Sequence, residues 1–208
     1  TGGSQANVVY EQDFESLDPA GATALEDDGW LYFGNVYQGD GTFKFGFGPF
    51  AAPTTSGQIS GIPTGEGGPD QGANQLVVFS NYECCGNPDQ GHRNGTDLVE
   101  TIVFQQLTIP ADFIGQTFTF TFDAKRGNIG GSTTAQAFIK TIAGSDTTNN
   151  EVLDTTSLPV SWASYTVTLD LTDPALEGQF LQFGFQTLAK DFEDSGNFYD
   201  NVVGATAP

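Results

Sequence analysis

Methionine is absent from the 208 residues, histidine occurs once, as His92, and the only cysteines are the neighbours Cys84 and Cys85. Zinc centres built on several His or Cys ligands find too few residues here, and a classical triad would have only His92 to build on. Positive charge is nearly as scarce. Six Lys and Arg stand against 26 Asp and Glu, a net charge of -20. Such a surface repels phosphate backbones and anionic headgroups, so neither nucleic acid nor a membrane surface is an expected partner. No run of 18 apolar residues occurs, so no segment is expected to insert into a membrane as a helix. Two cysteines do not by themselves fix the redox compartment.

The chain is rich in Phe, with 18, and in Gly, with 27. Phe, Thr and Gly in these amounts belong to strands joined by turns. Period-2 alternation recurs at 7–14, 29–37, 74–82, 97–109, 116–126, 134–142, 164–171, 179–188 and 196–205. The clearest case is "QTFTFTFDAKR", where Phe118, Phe120 and Phe122 face one way and Thr117, Thr119, Thr121, Asp123 and Lys125 the other. Nine or ten strands predict an all-β fold, a single sandwich of two antiparallel sheets. Residues 38–73 read as a long Gly- and Pro-rich loop, and "DPALEG" (173–178) as a short helical turn. The ends 1–6 and 205–208 read as linker, making 1–208 one domain of a larger, secreted or cell-surface protein. As an isolated module it is expected to be a monomer.

Four stretches in order carry a resemblance: "EQDFES", "LTIPADFIGQTFTFTFDAKRGN", "WASYTVTLDL" and "NFYDNVV". Together they resemble the jelly-roll carbohydrate-binding modules related to families 4, 9, 16 and 22, and the likeness covers most of the chain. It implies a jelly roll, non-catalytic polysaccharide binding, a buried Trp at Trp162, and a structural Ca²⁺ linking the first strand to the last. Carried onto this chain, the Ca²⁺ falls to Asp13 or Glu15 with Asp200. The residues agree with that assignment, because a strand at 11–15 places Glu11, Asp13 and Glu15 on one face. Three stacked carboxylates invite a hard cation, and the alternative is a solvated strand face.

"EQDFE" also resembles the Glu-x-Asp-x-Glu strand of laminarinase-type glycosidases. The Cα atoms of residues i and i+4 on a strand lie roughly 13 Å apart, whereas retaining carboxyls meet at about 5–5.5 Å. The match also sits at the N-terminus, without the rest of that pattern. A polysaccharide lyase would need more than one loop His. A third alternative is a calcium-dependent adhesin or structural module.

Two sets of residues are candidates for ligand binding. The first is a polar sheet face with Lys125, Gln136, Lys140, Gln182 and Gln186, whose amides and ammonium groups suit sugar hydroxyls. It becomes a binding surface if Phe138 and Phe180 share it. The second is loop-borne: Tyr37 and Tyr82, next to long loops, and the segment holding Cys84, Cys85, His92, Arg93 and Asn94. Adjacent cysteines in a secreted protein can close a vicinal disulfide. That ring closes almost no loop and so adds little through chain entropy. Its expected use is a stiff apolar kink forming a sugar-binding rim, or only a kinked loop. "NGT" at 94–96 is also an N-glycosylation sequon.

Overall fold

The computed structural model describes residues 5–208, so residues 1–4 of the linker-like N-terminus lie outside the described residues. Twelve strands form two antiparallel six-stranded sheets, a β-sandwich of jelly-roll type. The first sheet runs β10 (Ala163–Asp170), β7 (Thr117–Lys125), β12 (Asn197–Ala207), β5 (Leu76–Val78) and β4 (Ser60–Gly61), with β1 (Asn7–Gln12) also paired to β12. The second runs β3 (Phe43–Ala51), β2 (Leu31–Tyr37), β6 (Leu98–Thr108), β11 (Phe180–Lys190), β8 (Thr134–Ala143) and β9 (Asp146–Asp154). A single turn of helix, α1 (Ala24–Asp27), seats Leu25 in the core.

Alternation sets the layers. Phe118, Phe120 and Phe122 of β7 turn inward and are fully buried. They meet Phe183 and Phe185 of β11, which also face inward, at centroid distances of 5.1–5.4 Å. Aromatic pairs at such spacings add to the area they bury. Trp30, at the start of β2, closes one end of this core against Phe14 and Tyr10. The turn at 173–178 is a short 3-10 turn, capped by Asp173 accepting from the Ala175 N–H and started by Pro174.

The structure corrects several expectations. The stretch 38–73 is not all loop, because β3 lies within it. Gly46, Gly48 and Pro49 interrupt its alternation, which hid it. β9, "DTTNNEVLD", is an edge strand so polar that no apolar face marks it. The C-terminal end is strand through Ala207, with Ala205 and Thr206 buried against β7, so 205–207 is not linker. Trp162 is half-buried rather than core. Its indole N–H donates to the Glu66 carbonyl at 2.9 Å, and the Lys125 ammonium lies 5.6 Å from its ring.

Candidate functional site

The outward face of the second sheet carries an apolar trough. Val103, Phe183, Phe185, Ala137 and Ile139 point into the core, so their strand neighbours point outward. Register arranges these neighbours in rungs across β2, β6, β11 and β8. One rung is Phe33–Ile102–Gln186–Gln136, the next Leu31–Phe104–Gly184–Phe138, and the next, from β6 on, Gln106–Gln182–Lys140. A separate hydrophobic cluster forms here: Ile102, Phe104 and Phe138 are buried, with Leu31 and Phe33 packed against them. Gly184 lies between Phe104 and Phe138, and a Cβ there would sit 2.1 Å from the Val103 carbonyl oxygen. No side chain fits at that point. A groove on this face has a volume of about 610 Å³, with Pro49, Ile142 and Phe180 among its walls.

Polar groups sit at both ends of the apolar floor. At one end Glu100 accepts from Asn35 Nδ2 at 2.7 Å, from Gln186 Nε2 at 2.8 Å and from the Tyr37 hydroxyl at 3.4 Å. Burial, then the charge of Glu100 and its hydrogen bond, push the Tyr37 hydroxyl up to about 12. At the other end Gln182 donates to Gln106 at 2.9 Å. The Lys140 ammonium lies 4.9 Å from the Phe138 ring centroid, and burial holds its pKa below the usual lysine range. Glu100 to Gln106 spans six residues of β6, roughly 20 Å at the strand rise.

Five expected ligand residues therefore share one face: Tyr37, Gln136, Lys140, Gln182 and Gln186. Phe138 and Phe180 are on it too. Lys125 is not. It projects from the outer face of the opposite sheet, paired with Glu66 at 2.8 Å. Sequence reasoning missed Phe33, Asn35, Glu100, Ile102, Phe104 and Gln106. β6 is buried on both faces along much of its length, so "TIVF" reads as a continuous apolar run without a side.

The cysteine segment lies elsewhere. Cys84 and Cys85 form a vicinal disulfide, with Cα atoms 3.7 Å apart. Cys84 is buried with Val36 and Val99, with Phe45 and Phe47 packed on that cluster. Cys85, at φ 82°, is exposed and lines a small cleft with Tyr32, Phe45, Phe47, Asn81 and Gln90. None of the loop residues lines the groove. His92, expected at a rim, is buried, its Nε2 3.0 Å from the Ser80 hydroxyl. Tyr82 packs on Phe192 and reaches the Ser195 hydroxyl. Arg93 pairs with Glu83 at 3.0 Å. Asn94 Oδ1 accepts from the Thr96 and Asp97 N–H groups and so folds its own loop.

The carboxylate column at 11–15 does not exist as a strand face. β1 ends at Gln12 and the chain turns at Phe14, whose φ is 60°. Glu15 then accepts from the backbone N–H groups of Ala73 and Asn74 at 2.9 and 2.7 Å, and Asp13 from the Glu15 N–H at 3.1 Å. Asp200 is buried opposite Asp123 on β7. One of its oxygens accepts from the Asn201 N–H, and the other, Oδ2, has no donor among the described residues. Burial, with Glu15, Asp123 and Asp13 nearby, pushes the Asp200 carboxyl up to about 7. Asp123 behaves oppositely. Burial opposes its charge, but hydrogen bonds from Asn201, Ser164 and Gln71 outweigh that and hold it below the usual range. The same Gln71 keeps a buried Oε1 without a donor. Acceptors without donors beside clustered carboxylates fit a hard cation. Among the described residues, no three acidic, His or Cys groups already converge as a metal cage.

No protein-family profile matches the chain, and no curated protein matches it in sequence. Solved structures do match in fold. The Stig cyclase Fisc from Fischerella sp. TAU, solved with (3Z)-3-(1-methyl-2-pyrrolidinylidene)-3H-indole, is 15% identical over 98% of this chain and 99% of that one, with a TM-score of 0.52. The CBM22-1 xylan-binding domain of Paenibacillus barcinonensis Xyn10C is 10% identical, covers 99% and 97%, and has a TM-score of 0.49. The C-terminal family 22 carbohydrate-binding module of Clostridium thermocellum Xyn10B is 15% identical, covers 97% and 94%, and has a TM-score of 0.45. The β-sandwich that the four motifs imply is the fold of the chain by its own sheet topology. At these identities the likeness is one of architecture alone.

Proposed function

We propose that this chain is a non-catalytic polysaccharide-binding module of a secreted or cell-surface protein, with the glycan lying along the groove of the second sheet. The carrying observation is the combination of an apolar floor, Phe33, Ile102 and Phe104, with amide and charged groups at both ends. A sugar ring needs both. Its C–H face packs on apolar and aromatic surface, while its hydroxyls demand donors and acceptors at fixed places. The groove is open and crosses the sheet from β3 to the β8–β9 turn, which suits a chain better than a compact ligand. The glycosidase alternative is poorly supported, because the chain turns at Phe14 and Glu15 Oε1 accepts from two backbone N–H groups, so Glu11, Asp13 and Glu15 share no strand face. The lyase alternative has only His92, which is buried against Ser80.

The reading includes a structural Ca²⁺ at the corner between the end of β1 and β12. Asp200 and Asp13, with the Gln71 amide oxygen, would hold it, and Glu15 would contribute its charge. Such an ion would neutralise the buried carboxylate of Asp200 and tie the two strands together.

The test is affinity electrophoresis in xylan, mixed-linkage β-glucan, polygalacturonate and dextran sulfate, combined with an assay for released reducing ends and unsaturated products. Retardation in at least one glycan without product, weakened about tenfold by Gln186→Ala or Phe33→Ala, is the expected result. Turnover of any glycan, or retardation that these variants leave unchanged, overturns the reading.

A further inference from the structure

We propose that Lys140 makes the groove selective for glycans that carry an anionic group, a uronate carboxylate or a sulfate ester, beside Phe138 and between the two polar ends. The inference rests on the groove being the glycan site.

Lys140 lies on the groove wall, in one rung with Gln182 and Gln106. Its ammonium stands beside the Phe138 ring. Among the described residues no carboxylate is within ion-pair distance of it, whereas Lys44, Arg93 and Lys125 are each paired, with Asp97, Glu83 and Glu66; of the other two cations, Arg126 donates to the Ile129 carbonyl and Lys190 is exposed to solvent. The acid that acts on Lys140 through space is Glu100, and both its oxygens already accept hydrogen bonds from Asn35, Tyr37 and Gln186. In a chain with six Lys and Arg among 26 acids, a cation without an anion in the apolar groove is out of place. The ammonium offers three donors to whatever enters.

Two considerations oppose the idea, and magnitudes decide between them. The net charge of -20 repels an acidic polymer, but at physiological salt that field is screened beyond about 8 Å. Inside a groove with an apolar floor, the adjacent ammonium is screened much less. The Phe138 ring alone holds a partly exposed cation only weakly. It accounts for where Lys140 rests but supplies no acceptor for its N–H groups.

The experiment measures affinity by calorimetry for matched probes: polygalacturonate against its methyl ester, and dextran sulfate against dextran. The wild type is compared with Lys140→Gln and Lys140→Arg, each checked for an unchanged melting temperature. The expected result is tighter binding of the charged member of at least one pair. That preference should fall about tenfold or more in Lys140→Gln and survive in Lys140→Arg. Which pair responds separates carboxylate from sulfate recognition. Equal binding within both pairs, or a preference that Lys140→Gln leaves intact, overturns the proposal while the glycan-binding reading stands. If neutral xylan and β-glucan bind and none of the four matched probes does, the proposal also fails. If no glycan of any kind binds, the reading beneath it fails first.

Discussion

The ring of Phe185 lies flat against the ring of Tyr199, centroids 3.7 Å apart and planes 13° from parallel. One residue belongs to β11 of the second sheet, the other to β12 of the first, so this stack fastens the two layers. The Tyr199 hydroxyl reaches Thr155 Oγ1 at 3.1 Å, which satisfies the one polar atom of a fully buried side chain. Phe185→Ala is expected to cost about 3–5 kcal/mol, because it empties the centre of the sandwich. Tyr199→Phe is expected to cost about 1 kcal/mol, the worth of one buried hydrogen bond. Urea unfolding measures both. A loss under 1 kcal/mol for Phe185→Ala would show that the core closes differently.

Asp200 gives the stability a slope with pH. Its carboxyl is at about 7 in the fold and near 3.8 in the open chain. Between those values the folded state holds the proton that the unfolded state has released. The contribution is therefore full below about pH 4 and is lost as pH rises through 7. In EDTA the melting temperature should fall from pH 5 to pH 8, and Asp200→Asn should flatten that fall. Millimolar Ca²⁺ should reverse it, since an ion bound only by the folded state stabilises by mass action. If EDTA and Ca²⁺ give one curve at pH 8, the cation site is not there.

Most strands were legible in the sequence, β6 at 97–109 among them, but the face that β6 turns outward was not, and β3 and β9 were missed. β7 and β10 alternate cleanly because each buries one side in the core. β6 is buried on both, so its outward residues Glu100, Ile102, Phe104 and Gln106 carry no mark of their side. β3 is broken by glycines that its neighbours require. Gly48, for example, has φ 117°, and an added Cβ there would sit 2.9 Å from the Tyr32 carbonyl oxygen on β2. The half of the site on β8 and β11 was visible as a row of amides and Lys140. That Lys125 belongs to the other sheet was not, because alternation gives a face but never says which sheet carries it.

His92 gives a second slope, of opposite sense. Burial against Ser80 depresses its imidazole to about 4, against 6.5 when free, with Asp191 and Glu193 opposing the shift weakly. Its contribution is present above pH 6.5 and is lost as pH falls towards 4, since the unfolded chain takes up the proton first. Its ring carbon protons, followed by NMR, should not titrate between pH 8 and 5. A midpoint near 6.5 would place the ring in solvent and contradict the packing with Tyr82 and Phe192 at 5.7 Å.

The cysteine ring should matter to its loop and not to the groove. Untreated monomer should contain no free thiol, and its mass should rise by two hydrogens on reduction. Two alkylatable thiols before reduction would contradict the bond between Cys84 and Cys85. The ring closes so short a loop that it restrains the unfolded chain little. Reduction should therefore shift the unfolding free energy by less than about 1 kcal/mol. Replacing both cysteines by serine is a different perturbation. It puts a hydroxyl where Cys84 packs with Val36 and Val99, and burying that group without a partner costs about 1–3 kcal/mol. The loss should fall on the β2–β3 edge and be read there by hydrogen exchange of Val36 and Phe45. Affinity for any glycan that the groove takes should be unchanged, because Cys84 and Cys85 do not line it. A double serine variant that stays folded but loses glycan binding would move the ligand from the groove to the cleft beside Cys85.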